Sequence, residues 1–180
     1  MERTVARVAL FAALIAALGL IPQITLPFAG GVPITAQTLG VMLAGLILGP
    51  WRGALAILVF IAVVALGMPL LAGGRGGLGV FFGPTVGFLV GWPVAAVVIG
   101  LLYPALGRLG PMLAGSLACA LGGIVVLYAF GIVGLAIVAE MSLLKALLAV
   151  LIFIPGDILK AIVAAFINRE VRRARPGFAD

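Results

Sequence analysis

Long apolar segments with almost no charge occupy most of this chain, and they constrain its fold more than any other feature. Between Arg7 and Arg52, for example, the sequence contains no Asp, Glu, Lys or Arg. Charged residues make up 9% of the chain, whereas a soluble domain has about 25% and needs them for its polar surface. We therefore expect one domain, residues 1–180, that is surrounded by lipid.

Breaks at proline, glycine and arginine divide the first two thirds of the chain into five candidate membrane spans. A helical span needs about 20 mostly apolar residues. The predicted helices cover about residues 5–20, 33–48, 54–66, 84–107 and 111–130. The first is expected to be a membrane helix rather than a cleaved signal peptide, because its apolar part is longer than such peptides usually have. Pro33 is expected in the first turn of the second helix, and residues 49–53 are expected to separate the second helix from the third.

The last third of the chain allows two arrangements. Residues 132–154 are apolar except for two charged side chains, and Pro155 then interrupts the pattern. In one arrangement the sixth span covers residues 143–167 and is kinked at Pro155. In the other, a short helix over residues 143–153 precedes a span that begins at Pro155. We favour the second, because proline suits a first helical turn and Asp157 would then lie at the positive end of the helix dipole.

The positions of the arginines predict the orientation of the bundle. Positively charged loops remain on the cytoplasmic side of a membrane. If six spans place both termini in the cytoplasm, eight of the nine arginines are cytoplasmic and only Arg75 lies outside. We therefore expect an all-α, six-transmembrane-helix bundle with cytoplasmic N- and C-termini that crosses the membrane several times. The net charge of +6 then reflects topology and contact with lipid headgroups, and no nucleic-acid partner is expected.

The composition argues against an enzyme. The chain has no histidine, one cysteine and five acidic residues, and histidine is the commonest general base and metal ligand. These residues offer no nucleophile–base pair and no metal-binding set. We expect no catalytic residue, no metal and no cofactor. A phosphate-binding P-loop is also absent from the sequence, so this chain is not expected to use ATP itself.

The segment AGGRGGLG, residues 72–79, imitates a nucleotide-binding loop. Gly74, Gly76 and Gly79 have the spacing G-x-G-x-x-G, but that pattern binds dinucleotides only between a strand and the helix that follows it. Here it connects two membrane helices. One interpretation is a lid over an outward-facing pocket, in which Gly76 approaches a ligand closely and Arg75 binds a carboxylate. The other is a flexible connector with a surface arginine.

Polar residues inside the apolar helices are the main candidates for a ligand site. Asp157 and Lys160 are three residues apart and share one helix face. Such a pair in a membrane helix indicates function by default, although it could also be a self-neutralising pair that only shapes the bundle. Gln37 either faces a polar pocket or bonds to the backbone of a neighbouring helix. Thr85 is either a helix cap or a ligand contact.

Rows of small residues predict close helix packing. Gly87 and Gly91 lie on one face of the fourth helix, which indicates contact with another helix of the bundle. Ala9, Ala13 and Ala17 form a similar row on the first helix. Spacing alone makes this row a weak candidate for a face that docks a partner protein.

Three segments together resemble the BioY family, the substrate-binding S components of energy-coupling-factor (ECF) biotin transporters. They read PITAQTLGVMLAGLILGPWRGALA (33–56), GMPLLAGGRGGLGVFFGPTVGFLVGW (67–92) and FIPGDILKA (153–161). The resemblance implies an S-component fold that spans the bacterial cytoplasmic membrane and captures biotin from outside the cell. It also implies a transmembrane coupling protein (EcfT-like) and two ATPase subunits as partners, which alone would use ATP. It leaves a homo-oligomer open, and it strengthens the interpretation of the alanine row as a docking face.

The resemblance also implies residues that hold biotin. The family's PGD-x-x-K motif falls on residues 155–160, so Asp157 and Lys160 are expected to contact the ligand. Biotin carries two ureido N–H donors, a carbonyl acceptor and a carboxylate, and either Arg75 or Lys160 could bind the carboxylate. Phe88 stands where the family commonly has tyrosine, so its ring could contact biotin but the hydroxyl is missing. The alternatives are an S component for another vitamin and, in a different class, an intramembrane enzyme.

Overall fold

The computed structural model describes residues 2–25 and 32–175, and most of these residues are helical. The helices are α1 (Glu2–Gly19), α2 (Gln37–Leu48), α3 (Pro50–Ala65), α4 (Val86–Ala105), α5 (Pro111–Val138), α6 (Leu143–Leu151) and α7 (Ile154–Ala174). Two short strands, β1 (Ile24–Thr25) and β2 (Pro33–Ile34), pair in antiparallel fashion. Short 3-10 helices cover Leu78–Phe82 and Gly107–Leu109.

The helices have the length and polarity of a membrane bundle. Within the described residues, α4 and α5 are each long and apolar enough to cross a membrane, and the pair α6 and α7, bent by 54°, qualifies as a third span. Helices α2 and α3 are apolar but shorter, and ten of the twelve residues of α2 are buried inside the protein. With α6 and α7 taken as one bent unit, the described chain forms six helical units. The predicted all-α membrane architecture is confirmed.

The start of the second helix was predicted wrongly. Pro33 lies in β2, where it pairs with Thr25, and α2 begins only at Gln37. The pairing partner, Thr25, precedes the proline by eight residues, so a helix signal read from the proline and the residues after it could not reveal the pairing. The break before the third helix is also shorter than predicted, because Gly49 alone separates the two helices. Gly49 has a φ of 78° and Pro50 occupies the first turn of α3.

The fifth helix is longer than predicted. It continues past Phe130 to Val138 and contains a π-helical stretch, Leu121–Val126. The glycines after Phe130 do not end it, because each lies against α4. A side chain on Gly134 would collide with the backbone of Gly87. The predicted close packing of Gly87 is therefore confirmed, and the same contact explains why glycine is tolerated inside α5.

The helix boundaries at the end of the chain agree with the favoured arrangement, although α6 and α7 pass the test for a membrane span only as a bent pair. Helix α6 is short, and α7 begins at Ile154 with Pro155 and Asp157 in its first turn. Helix α4 lies at the centre of the bundle and contacts α2, α3 and α5, whereas α7 packs against α2 and the first half of α5. This arrangement brings the beginnings of α2, α4 and α7 together at one end of the molecule.

The alanine row of α1 points away from the bundle. Val8, Phe11 and Ile15 form the buried face of this helix, and Ala9, Ala13 and Ala17 are all exposed. The row is thus accessible to lipid or to another protein, and its role in docking remains a prediction.

Candidate functional site

A cavity opens at the end of the bundle where α2, α4 and α7 begin, which we call the cavity end. Its enclosed volume is about 60 Å³, and it is partly open to the outside. Its walls are mostly aliphatic and aromatic, with a few polar groups. The lining residues are Val32, Pro33, Ile34, Thr35, Gln37, Thr38, Leu71, Arg75, Thr85, Phe88, Leu89, Trp92, Leu127, Tyr128, Phe153, Asp157 and Lys160.

The Asp157–Lys160 pair is the only ion pair among the cavity-lining residues. The ammonium Nζ of Lys160 lies 2.7 Å from Oδ1 of Asp157, and the two side chains are only 18% and 6% exposed. Buried charges are tolerated in proteins when they are paired and hydrogen-bonded. The first turn of α7 favours the carboxylate further, because the helix dipole is positive there.

The ammonium of Lys160 is fully bonded within the protein. Besides Asp157, it donates to the carbonyl oxygen of Thr35 at 2.7 Å and to Oγ1 of Thr38 at 3.0 Å. A lysine ammonium has three N–H donors, and all three are used by these contacts. Lys160 therefore ties α7 to the residues at the start of α2 and has no unused donor in this conformation.

Asp157 is also held from the side of α5. The hydroxyl of Tyr128 donates to Oδ2 of Asp157 at 2.6 Å, a short distance that is typical of a hydrogen bond to a charged acceptor. The hydroxyl of Thr38 makes a longer contact of 3.4 Å with Oδ1. The Tyr128 ring meets Phe88 edge-on, with 6.5 Å between the ring centres. The carboxylate is thus held by side chains from α2, α5 and α7. One lone pair of Oδ2 is left for another donor.

Gln37 combines the two interpretations that the sequence left open. It lines the cavity, yet its buried amide is bonded to backbone. Its Nε2 donates to the carbonyls of Ile15 and Leu70, each at 3.1 Å, and its Oε1 accepts from the N–H of Ala72 at 2.9 Å. Both amide protons are therefore used. Gln37 joins α1 and α2 to the loop over residues 66–77, which we call the glycine-rich loop.

The base of the glycine-rich loop is a hydrogen-bonded turn. The N–H of Leu71 donates to the carbonyl of Arg75 at 3.0 Å, and the N–H of Gly77 donates to Val64 of α3 at 2.8 Å. Gly76 is not among the lining residues of the cavity. A side chain on Gly76 would collide with the carbonyl oxygen of Met68, so this glycine permits close packing inside the loop.

Arg75 lies at the mouth of the cavity. Its Nε donates to the carbonyl of Ala72 at 3.2 Å, and its Nη1 donates to the hydroxyl of Thr85 at 3.3 Å. Partial burial lowers the pKa of the guanidinium from its ordinary value, because the charged form loses contact with water. Within the described residues, Nη2 of Arg75 has no partner. The contact with Arg75 also accounts for Thr85, whose side chain makes no capping bond to α4.

The structure brings six of the seven predicted ligand residues to the cavity. These are Gln37, Arg75, Thr85, Phe88, Asp157 and Lys160. Gly76 lies beside the cavity and not on its wall. Sequence analysis missed Tyr128 and Trp92, although both carry a polar atom on an aromatic ring inside an apolar helix. Such rings usually find a hydrogen-bond partner when they are buried. Their presence in apolar helices could therefore have indicated a polar site nearby.

Comparison with known proteins covers nearly the whole chain. A model of the BioY family matches residues 2–177. A curated relative from Rhodobacter capsulatus, named biotin transporter BioY, is 51% identical, covering 98% of this chain and 96% of the relative. A protein of the same name from Rhizobium etli is 54% identical, covering 93% and 92%.

A solved structure also matches. It is the crystal structure of the S-component for biotin from an ECF-type ABC transporter, and it superposes with a TM-score of 0.88 at 32% identity. The match covers 96% of this chain and 92% of the other. A match of that extent includes the helices that form the cavity.

Proposed function

This chain belongs to the BioY family, and from that premise we propose that it binds biotin in the cavity and serves as the S component of an energy-coupling-factor transporter. It is a transport component and not an enzyme. The observation that carries the proposal is the buried, hydrogen-bonded Asp157–Lys160 pair in a cavity whose walls are otherwise largely apolar. An ionisable pair in a membrane helix of a transport protein is typical of a substrate site.

The chemistry of the cavity suits a small molecule with one neutral polar ring and one charged tail. Phe88, Trp92 and Phe153 supply aromatic walls for the fused rings and the alkyl chain of biotin. The remaining lone pair of Asp157 Oδ2 can accept one ureido N–H. Because Tyr128 and Lys160 hold this carboxylate in place, it needs little reorganisation when the ligand arrives.

The carboxylate of biotin is assigned to Arg75. The three N–H groups of Lys160 already have protein acceptors, whereas Nη2 of Arg75 has none among the described residues. A guanidinium is also suited to a carboxylate because two of its N–H groups can bind the two oxygens. The tail of the ligand would then lie at the mouth of the cavity and the ring deeper inside.

Transport requires partners that this chain does not supply. We assign the exposed row of Ala9, Ala13 and Ala17 to contact with a transmembrane coupling protein, which in turn binds two ATPase subunits. The chain would form a single multi-pass domain in the cytoplasmic membrane, with both termini in the cytoplasm, as the arginine distribution favours. In this arrangement biotin enters from outside, and ATP hydrolysis occurs only in the partners.

Direct ligand binding tests the proposal. Purified protein in detergent is titrated with biotin, thiamine and riboflavin, and binding is followed by calorimetry. We expect biotin to bind far more tightly than the other two vitamins. Tighter binding of thiamine or riboflavin would contradict the assignment of biotin as the ligand. Uptake of radiolabelled biotin into cells, with and without the coupling and ATPase subunits, tests the dependence on partners.

A further inference from the structure

Within the described residues, one buried polar atom of a side chain that lines the cavity lacks a hydrogen-bond partner. Within the described residues, three buried side-chain nitrogen or oxygen atoms have no partner, and among these only Nε1 of Trp92 belongs to a cavity-lining residue. Trp92 is 5% exposed, so water does not readily replace the missing acceptor. A buried indole N–H normally finds a partner, and its absence here calls for an acceptor that arrives with a ligand.

Trp92 marks the deep part of the cavity. It lies on α4 seven residues after Thr85, and two helical turns correspond to about 10 Å along the axis. Thr85 and Arg75 are at the mouth, so the α4 side of the cavity runs inward from Thr85 to Trp92. The indole packs against Phe60 of α3, with 6.0 Å between the ring centres. This contact supports the ring from behind and limits its movement.

Three other side chains of the cavity wall have all their donors engaged. Lys160 gives its three protons to protein acceptors, and Gln37 gives both amide protons to backbone carbonyls. The hydroxyl of Tyr128 donates to Asp157. The hydroxyl of Thr85 accepts from Arg75 and has no acceptor of its own among the described residues, but it lies two helical turns from Trp92. A ligand with a carbonyl group at the depth of Trp92 needs a donor there, and the indole N–H is the unengaged one.

We propose that the indole N–H of Trp92 donates a hydrogen bond to the ureido carbonyl oxygen of bound biotin. The inference rests on the proposed function and adds a residue that recognises the ligand. With the carboxylate at Arg75, the valerate chain carries the fused rings inward, and the ureido group then lies between Asp157 and Trp92. Asp157 accepts one ureido N–H while Trp92 donates to the carbonyl. A ligand without an acceptor there leaves the indole N–H unsatisfied, so Trp92 contributes to specificity.

The substitution Trp92→Phe tests this contact because it removes the N–H and keeps an aromatic ring against Phe60. We expect biotin to bind about tenfold more weakly, as for the loss of one neutral hydrogen bond. The control ligand is 2-iminobiotin, in which a nitrogen that carries hydrogens replaces the ureido oxygen, and its affinity should not fall. The control variant is Trp51→Phe, since Trp51 is 74% exposed on α3 and does not line the cavity.

Unchanged biotin affinity in Trp92→Phe, or equal losses for the two ligands, would overturn the proposal and leave Trp92 a packing residue. These outcomes are separate from a failure of the proposed function, which would appear as wild-type protein that does not bind biotin at all.

A second measurement does not depend on the folding of Trp92→Phe. The chain has two tryptophans, so in Trp51→Phe the indole N–H signal of Trp92 is the only one in an NMR spectrum of protein labelled with nitrogen-15 at the indole. Addition of biotin should move that signal downfield, as expected when the N–H gains an acceptor. A signal that stays in place at saturating biotin would contradict the proposed hydrogen bond.

Discussion

Helix α7 is joined to α2 at both ends, but the two connections differ in chemistry. At the cavity end, Lys160 bonds to Thr35 and Thr38 and forms an ion pair with Asp157. Every group in this connection lines the cavity. A ligand can therefore reach the carboxylate and exchange contacts with the groups that hold it.

At the opposite end, a single arginine makes the connection. Arg172 donates to the carbonyl of Leu46 at 3.2 Å and to the side chain of Asn168 at 3.1 Å, and its guanidinium lies 5.1 Å from the centre of the Tyr103 ring. Within the described residues it has no carboxylate partner. This cation contacts a backbone carbonyl in the last turn of α2 and an aromatic face, and it is not paired with a carboxylate that a ligand could bind.

The comparison shows that a half-buried cation is not by itself a sign of function. From the same helix, Lys160 bonds to the backbone just before α2 and Arg172 bonds to the backbone of α2. Only Lys160 is paired with a carboxylate that borders the proposed biotin cavity. The difference makes a clear prediction. Changes at the cavity end should affect biotin binding, whereas changes at the opposite end should affect stability alone.

The largest effect is expected for Asp157→Asn. The substitution leaves Lys160 buried without its counter-charge. It also replaces one carboxylate oxygen with an NH2 donor, so the single remaining oxygen cannot serve Lys160, Tyr128 and the ureido N–H together. Biotin affinity should fall by about a hundredfold or more, measured by calorimetry on purified protein. Glu170→Gln is the matched control, because Glu170 lies on the same helix at the opposite end and its side chain is 44% exposed. Equal affinities of wild type and Asp157→Asn would remove the carboxylate from the binding site.

Next in size is the effect of Arg75→Ala. Loss of a charge-assisted contact with the ligand's carboxylate should weaken biotin binding by about tenfold to a hundredfold. Biotin methyl ester lacks that charge and should lose much less affinity in the same titration. Arg108→Ala serves as control, because Arg108 is exposed at the opposite end. Similar losses for biotin and its ester would show that Arg75 does not bind the carboxylate.

A smaller effect is expected for Tyr128→Phe. The variant keeps the ring against Phe88 and removes only the hydroxyl that donates to Asp157. Biotin should bind about tenfold more weakly, because the carboxylate is held less firmly. The chain has two tyrosines, and the other, Tyr103, lies at the opposite end. If Tyr103→Phe weakened binding as much as Tyr128→Phe, the distinction between the two ends would not hold.

The smallest effect on binding is expected for Arg172→Met. Methionine keeps much of the apolar contact with Tyr103 but loses the hydrogen bonds to Leu46 and Asn168. Biotin affinity should be unchanged, and the free energy of unfolding should fall by about 1–2 kcal/mol. A thermal unfolding series in detergent would detect this as a lower Tm, by about 2–4 °C for each kcal/mol. A loss of biotin affinity at unchanged Tm would assign Arg172 to the ligand site.

The features that sequence predicted well are those that depend on neighbouring residues. Asp157 and Lys160 are three positions apart, and the cost of ionisable groups in an apolar helix marks them regardless of the rest of the fold. Pro155 likewise indicates the start of α7 through its own geometry.

The features that sequence missed depend on contacts beyond a residue's own helical turn. Tyr128 is 29 positions from Asp157, and nothing in its local sequence indicates which helix it faces. Pro33 favours a helix start when only its neighbours are considered, but its pairing with Thr25 places it in a strand. Gly76 was expected to approach the ligand, whereas its contact with Met68 is internal to the loop.

The π-helical stretch Leu121–Val126 has a consequence for how the cavity tolerates change. A π-turn accommodates one more residue than an α-turn, and one residue corresponds to about 100° of rotation around a helix axis. Leu127 and Tyr128, which follow this stretch, line the cavity. The direction of the Tyr128 hydroxyl therefore depends on the number of residues in the π-helical stretch as well as on their identity. Val125, which is 61% exposed, illustrates this. Another apolar residue could replace it, but its deletion would rotate Tyr128 away from its present direction.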